Sequence, residues 1–342
     1  MNKFVINGKF LTRRTTGVDR FAREILLELD KIVPQDIFEV LIPDGTNNVP
    51  GYKNIKCVQY GNFKGIAWEQ FQLPYYAHKK KAMTINLCNV APLIKPDIVC
   101  ICDMQVRANP SFYSKKFVAW YRLVFAVITR RARKIITISY FSKSEIEKYY
   151  PHTKGKISVV YCAWQHMLRI KSDNTIFARY PMLKDKQYYF AMSSMAKNKN
   201  FKWIVETAKL NPDSIFAVAG DINIKVFGKV KIDDGPNVIK LGYVTDEEAK
   251  ALMEHCKAFL FPTFYEGFGI PPLEALSCNV PILVSDNLCM HEIYGDSATY
   301  INPLLIYRLS NVLSTKQQNE VLYSYQWRKS AIELLQLLRL DQ

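Results

Sequence analysis

The chain contains 342 residues, of which 49% are hydrophobic, and it carries a formal net charge of +15. This length exceeds what a single hydrophobic core usually organises, so we expect two domains. All of the charge excess lies in residues 1–180, which hold 29 Lys and Arg against 13 Asp and Glu. Such a basic half is typical of proteins that bind nucleic acid, an anionic membrane surface or an acidic substrate, unless the charge serves only solubility.

The cysteines and the first residues of the chain indicate the compartment. The eight cysteines stand singly, with no Cys-x-x-Cys pair and no zinc-type spacing to histidine. Residues 1–3 lead directly into a strand-like segment, without the apolar region of a signal peptide. No apolar run reaches the length of about 18 residues that a spanning helix needs. We therefore expect a reduced, cytoplasmic protein without a transmembrane segment.

The first predicted strand, residues 4–7, is followed by a basic loop and a helix that begins at Gly17. Apolar residues at i, i+3, i+4 and i+7 predict that helix. A loop that follows the first strand of an α/β sheet lies at the carboxyl edge of the strands, where ligands bind. Gly17 is therefore a candidate ligand contact, and so are three arginines of the same region: Arg13, Arg14 and Arg20. The alternative is a plain strand-to-helix turn with surface arginines.

A second candidate in the first half is Asp103. Residues 97–103 predict a buried strand that ends in this carboxylate. A carboxylate at this end of a strand can orient a hydroxyl group or accept its proton. It can equally cap the following turn, and the residue types do not decide between the two roles.

Residues 111–134 combine aromatic and basic side chains. Six aromatic residues stand among lysines and an arginine, and the stretch ends in a basic cluster of Arg130, Arg131, Arg133 and Lys134. A helix of this composition suits the interface of an anionic membrane. The alternative is an ordinary domain helix with one buried face, followed by a strand.

The second half predicts a new sheet. Residues 166–185 lack clean periodicity and separate the halves. Strands are predicted at residues 188–192, 215–219, 238–244 and 258–262, and a last helix at about 319–340.

Residues 264–274 form the most informative stretch. A buried strand leads into a glycine loop, and two prolines stand where a helix begins. Glycines let the backbone approach a ligand closely, and a helix N-terminus suits phosphate. The carboxylates of Glu266 and Glu274 would repel phosphate, but they suit vicinal hydroxyls on ribose or a sugar ring. This combination is what a nucleotide-sugar requires.

The complete pattern, Glu-Gly-Phe-Gly-x-Pro-x-x-Glu-Ala at residues 266–275 followed by the apolar strand 280–285, resembles the donor site of the retaining glycosyltransferases of family 4. Residues 17–20 and 68–74 are also similar to this family, which serves bacterial surface polysaccharide synthesis. The resemblance implies the α/β GT-B fold, with two Rossmann-like, doubly wound parallel-sheet domains facing each other across a cleft.

The resemblance also implies how the chain is divided. An N-terminal domain, residues 1–165, would bind the acceptor, and residues 166–185 would be the linker. The nucleotide-sugar would bind to residues 186–315. Residues 316–342 would form a helix that crosses back to the N-terminal domain.

In this family Glu266 contacts the sugar hydroxyls, Glu274 the ribose hydroxyls and Lys199 the diphosphate. A cation at the departing phosphate stabilises charge that develops in the transition state. Glu266, Lys199 and Asp103 are the implied catalytic residues. Further implied donor contacts are Gly17, Ser194, Tyr243, Val244, Gly267, Phe268, Gly269 and Ile270.

Two positions depart from the family pattern. Cys102 stands where relatives usually carry a histidine near the reacting sugar, which argues against a mechanism assisted by that histidine. Ser194 stands where other members carry an arginine, so more of the phosphate binding would fall to Lys199 and to backbone N–H groups.

The implied reaction transfers a hexose from a nucleotide-sugar, with retention, to a lipid-linked saccharide at the cytoplasmic face of an anionic membrane. No Asp-x-Asp occurs in the chain, so we expect neither a metal nor another cofactor. Two alternatives stay open. A sugar-nucleotide epimerase of the same fold would turn over without an acceptor. A nucleic-acid-binding protein would show steep salt dependence, but it would leave Glu266 and Glu274 without a purpose, so we expect no nucleic-acid partner.

Overall fold

The computed structural model describes residues 3–184, 188–192, 197–220, 235–313 and 319–339. It divides the chain into two compact units. The first comprises Met1–Arg107, Ala119–Cys162 and Gln326–Gln342, and the second comprises Ala108–Val118 and Ala163–Tyr325.

The first unit is built on a parallel sheet of seven strands. In chain order they are β1 Phe4–Asn7, β2 Phe38–Ile42, β3 Lys56–Gln59, β4 Met83–Asn86, β5 Ile98–Cys100, β6 Lys134–Thr137 and β7 Ile157–Val159. Their spatial order is 3-2-1-4-5-6-7, so the chain winds outward from β1 and then outward again from β4.

Most helices of the first half accompany this sheet. They are α1 Gly17–Asp30, α2 Gly65–Ala67, α3 Leu73–Lys79, α4 Gln105–Ala108, α5 Lys115–Arg131 and α6 Tyr140–Tyr149. A π-helical turn, Trp68–Gln72, joins α2 to α3. Short 3-10 turns occur at Lys9–Thr12, Pro110–Phe112 and Pro151–Thr153.

The second unit contains a parallel sheet of six described strands. They are β8 Tyr188–Met192, β9 Ile215–Ala219, β10 Val238–Gly242, β11 Ala258–Phe261, β12 Ile282–Ser285 and β13 Thr299–Ile301, in the spatial order 10-9-8-11-12-13. Both sheets therefore have the doubly wound topology that the sequence predicts. Almost every residue of β8, β11 and β12 is buried, as parallel strands covered on both faces require.

The described helices of the second half are α7 Ile176–Arg179, α8 Phe201–Leu210, α9 Asp246–His255, α10 Ile270–Ser277, α11 Leu288–Tyr294, α12 Val321–Ser324 and α13 Trp327–Arg339. Its 3-10 turns are Gln165–Leu168, Pro181–Leu183, Lys197–Lys199, Gly295–Ser297 and Leu309–Asn311. The last helix, α13, belongs to the first unit, where Trp327 packs against Phe21 of α1 with ring centroids 6.3 Å apart.

The single helix predicted at about residues 319–340 is wrong in its continuity. The structure has two helices, α12 and α13, with Tyr325 extended between them. The carbonyl oxygen of Tyr325 accepts a hydrogen bond of 2.8 Å from Nε2 of Gln165. This side chain satisfies a carbonyl oxygen that lies at the break between the two helices.

The π-helical turn has a structural role in the first unit. Trp68 is buried and its Nε1 donates to the carbonyl oxygen of Tyr60 at 2.8 Å. Nε2 of Gln70 donates to the carbonyl oxygen of Ala91 at 3.1 Å, and Oε1 of Gln70 accepts from the backbone N–H of Leu93 at 2.8 Å. These contacts fasten two loops to the helix.

Two glycines in the first unit provide a matched test of its packing. A Cβ at Gly8 would lie 2.5 Å from the carbonyl oxygen of Leu41, whereas a Cβ at Gly17 would meet nothing within 4 Å. We expect Gly8→Ala to lower the free energy of unfolding by roughly 1–3 kcal/mol, because a packed strand edge must shift. Gly17→Ala is expected to leave it unchanged or raise it slightly. Urea unfolding of both variants measures this, and equal stabilities would contradict the packing described.

Candidate functional site

The candidate site of the second unit lies where the strand order reverses. Strands β8 and β11 are neighbours, and the chain winds away from them in opposite directions. Loops at the carboxyl ends of two such strands diverge and leave a crevice for ligands. Lys199 follows β8 and Glu266 follows β11, so the topology alone brings these two predicted residues to one edge of the sheet.

The two side chains form an ion pair. Nζ of Lys199 lies 2.6 Å from Oε1 of Glu266, and both side chains are largely buried. The same ammonium group lies 5.3 Å from the centre of the Phe261 ring, at the end of β11. Sequence reasoning did not include Phe261 in the site. The pair places a fixed cation and a fixed carboxylate side by side, one suited to phosphate and the other to hydroxyl groups.

Backbone contacts hold the two loops together. The backbone N–H of Phe264 donates to the carbonyl oxygen of Asn198 at 2.8 Å. Asn200 adopts the left-handed conformation with φ 54°, which asparagine tolerates better than most residues. Its Nδ2 donates to the carbonyl oxygen of Pro303 at 2.8 Å. The position of Lys199 is therefore set by its neighbours on both sides.

The glycine loop is fixed at Gly269, which precedes α10. Its φ is +87°, and a Cβ at this position would lie 3.0 Å from Cε of Met290. The hydroxyl of the buried Tyr294 donates to the carbonyl oxygen of Gly269. Glycine is required here for both the backbone conformation and the space.

The start of α10 offers fewer donors than an ordinary helix. Pro271 and Pro272 occupy its first turn, and proline has no N–H. Of the first three residues of α10, only Ile270 retains a backbone N–H. A phosphate at this helix would depend correspondingly more on the ammonium group of Lys199.

Glu274 lies in α10 and is buried, with 8% of its surface exposed. Its Oε1 lies 2.7 Å from Nε2 of His166, which is 1% exposed. Sequence reasoning missed His166, because the two residues are separated by 108 positions and nothing near His166 in the chain signals a ligand site.

The remaining residues predicted to contact the donor differ from one another in burial. The ring of Phe268 is buried and packs edge-to-face on Tyr325 at 5.3 Å, so its side chain belongs to the core. Val244 is buried and Tyr243 is exposed, just after β10. Ser194 lies outside the described residues.

In the first unit, Asp103 caps a turn. Its Oδ1 accepts a hydrogen bond of 2.9 Å from the backbone N–H of Gln105. Burial raises the pKa of Tyr121 to about 12, with a further rise from the charge of Asp103 and an opposing effect from Arg13. The charges of Asp103 and Arg13 therefore both act on the hydroxyl group of Tyr121.

The arginines of the first loop differ in their contacts. Arg13 donates from both Nε and Nη2 to the fully buried carboxylate of Asp19, with Nη2 to Oδ1 at 2.6 Å. Asp19 also caps α1 through the backbone N–H of Thr16 at 3.0 Å. Arg20 lies 3.9 Å from Glu24, and Arg14 is exposed.

The basic cluster is used by the fold. Nη1 of Arg130 donates to the carbonyl oxygen of Ala126 at 2.8 Å, and Nη1 of Arg131 to that of Leu93 at 2.9 Å. Nε of Arg133 lies 3.3 Å from Oδ1 of the buried Asp97. Nζ of Lys134 donates to the carbonyl oxygen of Leu337 near the end of α13. The three arginines nevertheless remain exposed at the surface.

Two further observations concern the described ranges only. No helix within them is long and apolar enough to cross a membrane. No group of three or more His, Cys, Asp or Glu side chains within them could hold a metal ion.

Residues 172–303 match the protein family described as Glycosyl transferases group 1. The O-antigen chain mannosyltransferase RfbU of Salmonella typhimurium is 28% identical over 67% of this chain and 62% of its own length. The O-antigen chain mannosyltransferase B of Escherichia coli is 26% identical over 59% of this chain and 56% of its own length. The matches thus span less than two thirds of these relatives.

Solved structures with low sequence identity share the fold. Sucrose-phosphate synthase from Thermosynechococcus elongatus has a TM-score of 0.72 at 13% identity and covers 99% of this chain and 98% of its own. Anabaena HepE in complex with UDP and glucose has a TM-score of 0.69 at 14% identity, covering 99% and 100%. WaaG, a glycosyltransferase involved in lipopolysaccharide biosynthesis, has a TM-score of 0.60 at 16% identity, covering 97% and 90%.

These comparisons confirm the predicted GT-B fold class and the resemblance to glycosyltransferases. Residues 172–303 are thus similar to the glycosyl transferases group 1 family.

Proposed function

We propose that the protein is a retaining glycosyltransferase that moves a hexose from a nucleotide-sugar to a hydroxyl group of a saccharide. The observation that carries this proposal is the gathering of Lys199 and Glu266 at the strand reversal of the family domain, with Glu274 on the helix that follows. One cation and two carboxylates supply groups for a diphosphate and for the hydroxyl groups of the ribose and the sugar that it joins.

Each side chain has a chemical task in this proposal. Lys199 contacts the diphosphate and stabilises the negative charge that grows on it as the glycosidic bond breaks. Glu266, held by Lys199 at 2.6 Å, accepts hydrogen bonds from the sugar hydroxyls. Glu274 accepts hydrogen bonds from the ribose. The backbone of the glycine loop, kept in place through Gly269, approaches the sugar and the diphosphate.

In the proposed reaction, Asp103 is the residue that acts on the acceptor. This carboxylate orients the acceptor hydroxyl or takes its proton, and retention would follow from attack on the face that the diphosphate leaves. Because Lys199 supplies a positive charge at the diphosphate and the chain has no Asp-x-Asp, we propose that no metal takes part.

The relatives suggest the pathway. RfbU of Salmonella typhimurium and the mannosyltransferase B of Escherichia coli are named as O-antigen chain mannosyltransferases. We propose by analogy that the hexose is mannose and that the acceptor is a lipid-linked saccharide of a bacterial surface polysaccharide.

We also propose that the first unit binds the cytoplasmic face of an anionic membrane. The structure suggests an apolar contribution that sequence reasoning did not identify. Four exposed apolar side chains lie within residues 63–75, from just before α2 to α3, and we call them the aromatic ridge after its three aromatic members: Phe63, Ile66, Phe71 and Tyr75. Phe71 and Tyr75 are 64% and 61% exposed.

The charges around the ridge suit an anionic surface. Exposed lysines stand at both of its ends, at residue 64 and at residues 79–81. The one acid in this stretch, Glu69, is buried and paired with Lys9 at 2.8 Å. Protruding aromatic residues with lysines and without exposed carboxylates are typical of surfaces that enter the membrane interface.

A matched pair of lysines tests the role of Lys199. Lys197 lies two residues earlier on the same 3-10 turn and is exposed. We expect Lys199→Met to lower kcat by roughly 10²–10³-fold, because a charge aimed at the leaving group is lost. Lys197→Met is expected to leave kcat unchanged. The measurement is release of nucleoside diphosphate, and an equal loss in both variants would contradict the assignment.

Donor identity and metal independence are tested together. We expect slow hydrolysis of one nucleotide-sugar from a panel of UDP-, GDP-, ADP- and dTDP-sugars that includes GDP-mannose, and we expect EDTA to leave the rate unchanged. Release of the nucleoside diphosphate is followed, and Glu274→Ala serves as the control that removes the ribose contact. Loss of turnover in EDTA that magnesium restores would overturn metal independence alone. An absence of both release and nucleotide binding across the panel would overturn the proposed enzyme.

Membrane binding is tested by comparing two surfaces. We expect Phe71→Ser together with Tyr75→Ser to reduce binding to vesicles of phosphatidylglycerol and phosphatidylcholine, because the apolar anchors are removed. Neutralising Arg130, Arg131 and Arg133 to glutamine is expected to release the protein by lowering its charge. Co-sedimentation with the vesicles measures both effects, and Leu304→Ser, at an exposed apolar residue of the second unit, is the control. Unchanged binding in both sets of variants would rule out the membrane proposal.

A further inference from the structure

The side chains of His166 and Glu274 form a short, buried contact beside the candidate site. The imidazole is almost fully buried, and its Nε2 lies 2.7 Å from Oε1 of the carboxylate. A buried carboxylate is destabilised unless hydrogen bonds replace its water. The histidine provides such a bond to one oxygen of Glu274 and leaves the second oxygen, Oε2, outside this contact.

We infer that His166 is a positioning residue, which holds Glu274 so that the carboxylate selects nucleotides with an intact ribose diol. This inference rests on the proposed function, since it gives Glu274 the ribose hydroxyls as its ligand. It adds that the preference for a ribonucleotide over a 2′-deoxyribonucleotide is set by a residue that does not touch the nucleotide.

The segment around His166 is held firmly on one side by the end of the second unit. Nε1 of Trp164 donates to the carbonyl oxygen of Leu322 at 2.8 Å. Nε2 of Gln165 donates to the carbonyl oxygen of Tyr325 at 2.8 Å. These two bonds fix the backbone immediately before the histidine.

The other side of the segment is held by helix α9. Nζ of Lys250 donates to the carbonyl oxygens of Met167 and Ile170, at 2.9 and 2.8 Å. The imidazole therefore stands on a backbone that is fixed both before and after it. A rigid support of this kind is what orients a ligand-binding group within the small tolerance that recognition needs.

The contact also determines what the histidine contributes chemically. A carboxylate only accepts hydrogen bonds, so the proton between Nε2 and Oε1 is carried by the imidazole. This bond directs one carboxylate oxygen towards the protein interior. We assign to the ribose hydroxyls the second oxygen, Oε2, which lies outside this contact.

Replacement of His166 would have a different effect on nucleotide binding if the pair had only a structural role. If His166 only joined the 3-10 turn to α10, its removal would weaken binding of every nucleotide to the same extent. If it positions Glu274, removal would weaken binding of ribonucleotides more than binding of their 2′-deoxy forms, which offer the carboxylate only the 3′-hydroxyl. The ratio of the two affinities therefore separates the two roles.

The experiment measures dissociation constants by calorimetry for GDP, UDP and their 2′-deoxy counterparts. We expect the wild-type protein to favour the ribonucleotide, and His166→Phe to reduce this preference by about 10-fold, because the carboxylate loses its hydrogen-bonded orientation. His166→Gln, whose amide can reach Oε1, is expected to restore much of it. If the phenylalanine variant does not fold, as judged by circular dichroism, His166→Asn takes its place, since its shorter amide does not reach Oε1.

A second histidine provides the matched control. Nε2 of His291 lies 2.7 Å from Oδ1 of Asp286, but both side chains are at least half exposed. We expect His291→Phe to leave the ratio unchanged. A loss of affinity in His166→Phe that is equal for ribo and 2′-deoxy nucleotides would overturn the inference.

The design also separates this inference from the proposed function. If Glu274→Gln reduces the preference for the ribonucleotide and His166→Phe does not, the ribose contact stands and the role of His166 is rejected. If no nucleotide binds, or if Glu274→Gln leaves the preference unchanged, the assignment of Glu274 to the ribose is wrong and the inference fails with it.

Discussion

The reversal of strand order between β8 and β11 is the constraint on which the candidate site depends. Parallel strands that wind outward in two directions leave their carboxyl ends uncovered at the reversal. In this chain a lysine and a glutamate extend from the two loops and meet at 2.6 Å. Because both side chains are largely buried, neither charge would be stable there without the other. The ion pair thus joins the two loops, and in the proposed function it supplies the cation for the diphosphate and a carboxylate for the sugar.

The first sheet has a comparable network of polar side chains where its own strand order reverses, between β1 and β4. Asn7 ends β1 and donates to Glu69 at 2.9 Å and to Asn86, which ends β4, at 3.1 Å. Lys9 neutralises the second oxygen of Glu69 at 2.8 Å. Each unit therefore stabilises the gap between its central strands with a buried carboxylate and a lysine. In the first unit the amide side chains of Asn7 and Asn86 add to this network.

The positive charge of residues 1–180 serves more than one purpose. Arg131, Arg133 and Lys134 satisfy carbonyl or carboxylate groups of the fold, and Arg13 neutralises the fully buried Asp19. These contacts explain part of the excess without any ligand. Among the lysines around the aromatic ridge, Lys80 lies 3.5 Å from Glu39, whereas those at residues 64, 79 and 81 are exposed and stand beside apolar side chains. Composition does not distinguish these residues. Their contacts show which cations bind groups of the fold and which remain exposed to solvent.

The sequence by itself determined the fold class and the main candidates. The resemblance carried by residues 266–275 implied the fold class, and the order Glu266, glycine loop, Glu274 lies within one local stretch whose backbone turns at Gly269. Other features were decided only by the tertiary structure. The pairing of His166 with Glu274 spans 108 positions, and the carbonyl oxygen of Tyr325, between α12 and α13, accepts a hydrogen bond from the distant side chain of Gln165. Local sequence patterns indicate backbone conformation and burial. They do not indicate which distant side chain will form the hydrogen bond that a buried polar group requires.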